Sequence, residues 1–280
     1  MFIKYSTKNL IYLSLFSSTL FVLNYLGSNY FKEISIPLIL YLQKDKYITN
    51  SMNYVYHLGS DYFRLFLISL IIVIGNKFQV FITLMMNSFL SLLINFLKIN
   101  FRENRPYWTN ENIQGFNCEI DFAFSSDCIM ISFPFLFLVF EIIFYRLELN
   151  FLVNSNIFYF IGNSICFLLG LSIGFSKLIL GEIYLDQFIE GILLGLFFWF
   201  IFKNFIDLDE LKLYLEVYVI YNKKQRAIFI FFYFLPYFIF LLNFILLEKF
   251  ANVEQSNNII AINTKKCNFF NFVRWIFIFS

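Results

Sequence analysis

Long apolar runs alternate with short polar loops along most of the chain. Most of these runs approach the roughly 20 residues that a helix needs to cross the hydrocarbon core of a bilayer. The pattern therefore predicts an all-α, polytopic membrane bundle of about seven transmembrane helices, six of them in a core that ends near residue 202. The runs occupy about residues 10–28, 62–76, 78–97, 128–145, 151–173, 183–202 and 227–247.

Two other stretches do not fit a membrane span. Residues 34–43 are apolar but short and contain Pro37, which favours an interfacial or re-entrant piece. Residues 203–226 are the most charged part of the chain and carry apolar residues at helical spacing, which predicts an amphipathic cytoplasmic connector. The predicted organisation is a core at 1–202, the connector at 203–226, an additional transmembrane helix at 227–247 and a polar tail at 248–280.

Composition agrees with a membrane protein. Hydrophobic residues make up 60% of the chain and charged residues only 14%, whereas about a quarter of a soluble protein is charged. The net charge is +2 and the cations are scattered, so no basic stripe for nucleic acid is present. The sequence has no metal-type cysteine or histidine spacing and no glycine-rich phosphate loop, and we expect no cofactor or metal.

Loop charges predict the orientation. Positive residues favour the side that holds the N-terminus and the 203–226 connector as the cytoplasmic side. Loops 98–127 and 174–182 then share the opposite, non-cytoplasmic face. The predicted location is an integral, multi-pass position in a membrane, with the endoplasmic reticulum or another endomembrane as a candidate.

One polar loop carries a cluster of cations. Lys98, Arg102 and Arg105 lie within eight residues, directly before Pro106. Such a cluster either anchors a helix end at the membrane surface or clamps the oxygens of a phosphate group.

The spacing of this cluster resembles the first signature, K-x6-R-P, of the type 2 phosphatidic-acid phosphatase / haloperoxidase superfamily, with Lys98 and Arg105-Pro106 at its fixed positions. The continuation RPYW, followed by Cys118-Glu119, is similar to the glucose-6-phosphatase-like branch. The resemblance covers roughly residues 10–202 and implies a six-helix phosphatase-like core.

Two further segments resemble this family's other signatures. The second signature, P-S-G-H, corresponds to residues 125–128, which read SSDC. The third, S-R-x5-H-x3-D, begins at Ser176-Lys177 and has Ile183 and Gln187 at its histidine and aspartate positions. Both segments stand in the family's order and on the same predicted membrane face.

The resemblance implies a histidine nucleophile in the third signature and a histidine acid in the second. This chain has Ile183 at the nucleophile position and Cys128 at the acid position. Its single histidine, His57, is predicted at the start of the second helix, where a helix-edge polar role is the ordinary interpretation. Neither catalytic histidine is present, so no catalytic residue of the family is intact.

The anion-binding half of the pattern survives as a vestigial phosphate site. Its members are Lys98, Arg105, Ser126, Ser176 and Lys177. Polar neighbours are expected at Asp127, Glu182, Asp186 and Gln187. A carboxylate near the cations repels phosphate and neutralises them. We therefore expect the site to bind phosphate weakly or not at all, and the cations to form structural ion pairs with Asp127 and Glu182.

The predicted function is that of a pseudophosphatase: a membrane protein that resembles a lipid- or sugar-phosphate phosphatase without its chemistry. The expected partners are membrane lipid and a phosphorylated lipid or sugar ligand. One alternative is an active phosphomonoesterase with noncanonical residues. The other is a transporter or scaffold that carries a K-x6-R-P loop by chance.

Overall fold

The structure is a computed structural model that describes residues 28–116, 127–150 and 155–205, with isolated residues at 19, 123, 223, 234 and 238. Within these ranges, side chains are not described at 28, 29, 61, 99, 127, 145–150, 155, 156, 204 and 205. The predicted first helix at 10–28, the connector at 203–226, the helix at 227–247 and the tail at 248–280 lie essentially outside the described residues.

The described part of the chain is helical, apart from one isolated bridge between Glu103 and Ala123. The helices are α1 (Ser28–Gln43), α2 (Lys46–His57), α3 (Asp61–Ile74), α4 (Lys77–Phe101), α5 (Pro106–Thr109), α6 (Asp127–Asn150), α7 (Ser155–Ile179) and α8 (Leu185–Phe205).

Side-chain caps set several helix ends. Asp45 caps α2 by accepting from the backbone of Tyr47 and Ile48. Asn76 and Gln79 form a reciprocal capping box at the start of α4, which satisfies backbone donors that the first turn leaves without partners. At the other end of α4, Arg102 adopts the left-handed conformation with φ 48° and turns the chain away.

Four described helical stretches are long and apolar enough to cross a membrane: Lys46–Ile74, Lys77–Lys98, Ile157–Ile179 and Leu185–Lys203. A shorter apolar helix occupies Cys128–Phe144. This confirms the predicted all-α membrane bundle.

The structure differs from the sequence-based boundaries in two places that affect the site. The stretch before the second apolar run forms α2, so His57 ends a helix instead of starting one. Helix α7 continues past residue 173 to Ile179, so Ser176 and Lys177 are helical and the predicted 174–182 loop is reduced to residues 180–184.

Helix α6 forms the centre of the bundle and packs against α4, α7 and α8. Its Phe133 and Phe137 are buried, and Phe137 stacks on Trp199 of α8. At the end of the bundle opposite the signatures, Lys203 of α8 donates to Glu141 of α6 at 2.9 Å, and Tyr159 of α7 donates to the same carboxylate at 2.8 Å.

Small residues let α7 approach its neighbours closely. A Cβ added at Gly174 would lie 2.1 Å from Ile129 Cδ1 and 2.8 Å from the Phe188 ring. Any larger residue at this position must therefore displace the side chains of Ile129 on α6 and Phe188 on α8.

We predict that Gly174→Val lowers the free energy of unfolding by about 1–3 kcal/mol, because overpacking displaces core side chains. Thermal unfolding of the protein in detergent would measure this loss. Leu168→Val on the exposed face of α7 is the control, and an equal loss in both variants would contradict the close packing.

Candidate functional site

The first and third signature segments meet at one end of the bundle. Lys98 lies in the last turn of α4, and Arg105 directly precedes α5. Arg105 Nη1 donates a hydrogen bond to the backbone oxygen of Glu182 at 3.4 Å. Arg105 and Lys98 are both buried, with 1% and 7% of their surface exposed. Arg105 of the first signature is therefore packed against the loop of the third.

The centre of this site is an ion pair between Lys177 and Glu182. Lys177 Nζ lies 3.5 Å from Glu182 Oε2, and neither side chain has any exposed surface. The Lys177 ammonium also lies 5.6 Å from the centroid of the Tyr56 ring. A buried charge without a partner is strongly destabilising, so each residue permits the burial of the other. The structure thus pairs Lys177 with Glu182, and the role of Lys177 in binding phosphate stays a prediction.

A tight turn presents Glu182 to Lys177. Gly181 has φ +75°, a conformation that favours glycine, and a Cβ there would lie 2.7 Å from Ile113. The Glu182 N–H donates back to the Lys177 carbonyl at 3.0 Å. The side chain of Gln43 donates to the Ile179 and Gln114 carbonyls at 2.9 and 3.1 Å. Helix α1 thus ties the start of this turn to the loop that contains Gln114.

The residue predicted from the sequence to occupy the nucleophile position, Ile183, is part of the apolar core. Ile183 has 1% of its surface exposed and packs in a cluster that also contains Tyr107, Trp108, Ile113 and Ile129. Ser176 donates its hydroxyl hydrogen to the Ile173 carbonyl at 2.6 Å, within its own helix.

The acid position and the single histidine lie around the turn between α2 and α3. The Cβ of half-buried Cys128 is 3.5 Å from the place that a Cβ on Gly59 would occupy. His57 is exposed, and its neighbour Tyr56 is the residue whose ring faces Lys177. Sequence reasoning considered His57 and missed Tyr56. Ser126 and the side chain of Asp127 lie outside the described residues, so their predicted roles stay predictions.

A second group of polar side chains lies beside the Lys177–Glu182 ion pair, at the first turns of α8. Gln187 donates to Glu103 at 2.6 Å and accepts from the Tyr184 N–H at 3.0 Å. Asp186 lies 3.9 Å from Lys32 of α1. The participation of Lys32 and Glu103 was not predicted, because both contacts join positions more than 80 residues apart.

Tyr184 links this group to α5. Its hydroxyl hydrogen-bonds with that of Thr109. Burial raises the pKa of the Tyr184 phenol, and the hydrogen bond with Thr109 opposes that rise. The phenol therefore stays neutral at physiological pH and serves as a hydrogen-bonding group. Among the described residues, no group of three histidine, cysteine, aspartate or glutamate side chains is arranged to hold a metal ion.

Fold and site together define an integral membrane helical bundle with an internally paired cationic site at one end. Residues 77–209 match the model of the PAP2 superfamily. The fold is similar to the crystal structure of a transmembrane PAP2-type phosphatidylglycerolphosphate phosphatase from Bacillus subtilis, with a TM-score of 0.60 and 18% identity over 73% of this chain and 97% of that one. No curated protein sequence matches significantly. The chain thus has the fold of a PAP2-type membrane phosphatase.

A double-mutant cycle can test the ion pair between Lys177 and Glu182. Lys177→Met alone should lower the free energy of unfolding by about 3–5 kcal/mol, because it leaves Glu182 buried without its counter-ion. Lys177→Met/Glu182→Met should recover most of that loss, since two apolar side chains can replace a buried pair. Denaturant unfolding in detergent measures the free energy of unfolding of Lys177→Met, Glu182→Met and the double variant. A loss in the double variant equal to the sum of the two single losses would contradict the pairing.

Proposed function

We propose that this protein is a catalytically inactive member of the PAP2 superfamily, a pseudophosphatase whose role is to bind a membrane ligand. The observation that carries the proposal is the state of the third signature. Its nucleophile position is a buried isoleucine, Ile183, and its cation, Lys177, is paired with the neighbouring Glu182.

The chemistry of the two catalytic positions supports inactivity. A phosphoenzyme requires a nucleophile with a lone pair, which the Ile183 side chain lacks. A leaving oxygen requires a proton donor, and a thiol at the Cys128 position is a weaker acid than an imidazolium at neutral pH. His57 does not replace either group, because it is exposed at the end of α2.

The altered clamp supports weak binding of phosphate. Lysine presents a point charge where the family's arginine offers a bidentate fork. The carboxylate of Glu182 lies 3.5 Å from that charge and already occupies it. A phosphate at this position would have to displace a fully buried carboxylate and accept its repulsion.

The proposal includes a topology in which the signature loops lie on the non-cytoplasmic face of an endomembrane such as the endoplasmic reticulum. The positive charges of the predicted connector support that orientation. The RPYW continuation supports a relationship with the glucose-6-phosphatase-like branch. We therefore propose a phosphorylated lipid or sugar as the ancestral ligand class of the site.

Purified protein should release no phosphate from phosphatidic acid or p-nitrophenyl phosphate above the rate of a heat-denatured sample. A PAP2-type phosphatase with intact histidines serves as the positive control. Turnover that disappears in both Lys98→Ala and Arg105→Ala would overturn the proposal and favour an active enzyme with noncanonical residues.

Removal of the internal counter-ion should restore anion binding. Glu182→Gln keeps the size of the side chain and should strengthen vanadate binding by about tenfold or more, because charges 4 Å apart interact by about 4 kcal/mol at an effective dielectric constant of 20. Isothermal titration with vanadate and phosphate measures the change. The gain should vanish in Lys177→Met/Glu182→Gln, and tight vanadate binding by the unmodified protein would show that the clamp is not neutralised.

A further inference from the structure

Three carboxylates and only one described ammonium group form the polar surface beside the ion pair. We call Glu103, Asp186 and Glu190 the acidic group. Asp186 and Glu190 are four residues apart on α8 and therefore share one face of the helix. Glu103 joins that face through its hydrogen bond with Gln187. All three carboxylates interact electrostatically with one another.

Glu190 is the independent observation that points to a ligand. It is more than nine-tenths buried, with 6% of its surface exposed. It has no hydrogen bond or ion pair with any described residue, although it interacts electrostatically with both other carboxylates and with Lys32. Asp186 Oδ1 is likewise buried and has no hydrogen-bond partner within the described part of the chain.

The described counter-charge is incomplete. Lys32 lies 3.9 Å from Asp186 and is itself about one-third exposed. One ammonium group cannot pair with all three acids, and a carboxylate without a partner is costly at the edge of the membrane, so Glu190 favours either a further cation or a proton. Glu190 lies five residues into α8, or about 8 Å along the helix from its start, and so close to one end of the span Leu185–Lys203.

We propose that the acidic group is a binding site for a primary ammonium group, contributed by a lipid head group or by a small amine. The N–H donors of an ammonium suit the Glu190 carboxylate and Asp186 Oδ1, which have no hydrogen-bond donor within the described part of the chain. A divalent metal fits less well, because no described group of side chains is arranged to hold one. In this assignment the site end of the bundle accepts a cation where a phosphatase accepts an anion. The proposal deepens the binding role proposed above.

The test uses the full-length protein and compares two sources of the ammonium group, a small amine and a lipid head group. In detergent, ethanolamine hydrochloride should raise the Tm by about 3 °C or more, and sodium chloride at equal ionic strength should not. In nanodiscs, a phosphatidylethanolamine bilayer should stabilise the protein relative to phosphatidylcholine, whose head group has no N–H donor. Stabilisation in nanodiscs identifies the lipid as the source, and stabilisation by ethanolamine alone identifies a free amine.

Substitutions within the acidic group test whether it is responsible for the rise in Tm. Glu190→Gln should abolish the shift, and Glu103→Gln, at a half-buried loop position, should reduce it even if the first variant folds poorly. Glu111→Gln changes an exposed acid and is the matched control. The proposal is overturned if neither amine source shifts the Tm, if sodium chloride acts equally, or if Glu190→Gln and Glu103→Gln respond like the unmodified protein. If the protein binds no amine and also shows no phosphatase activity, the ammonium site is refuted and the proposed inactivity stands.

Discussion

Lys177, at the end of α7, forms an ion pair with Glu182 in the turn that follows, and neither side chain has any exposed surface. Two charges can be buried at this depth only as partners, and the surrounding contacts serve that requirement. Gly181 allows the turn, Gln43 donates to the Ile179 carbonyl at its start, and Arg105 donates to the backbone of Glu182. The pair therefore fixes how α7, α8 and the loop after α4 meet.

Under the inactivity proposed above, this constraint explains why the cations of the site persist. If phosphate were the partner of Lys177, an empty site would leave a buried charge without compensation. With Glu182 built into the chain, the charge is compensated at all times and the fold needs no ligand. The same turn carries Ile183 into the apolar core, where its side chain adds packing. The acids that follow on α8 then give the neighbouring surface the opposite charge.

Much of this architecture follows from the sequence, because long apolar runs encode helices α4, α6, α7 and α8 directly. The spacing of Lys98 and Arg105 also indicated which loop would hold the cations. Helix α2 was missed because its sequence, KYITNSMNYVYH, mixes polar and aromatic residues, and its cap at Asp45 and its packing on α7 stabilise it. The contact of Tyr56 with Lys177 depends on that helix. Pairings such as Glu103 with Gln187 join distant positions, and one sequence carries no local signal for them.

An experimental structure determined in saturating vanadate tests the central claim most directly. The account predicts that Lys177 Nζ stays within about 4 Å of the Glu182 carboxylate, the usual limit for an ion pair, and that no vanadate occupies the space between Lys98, Arg105 and Lys177. Vanadate bound to these three cations, with the Glu182 side chain displaced, would contradict it.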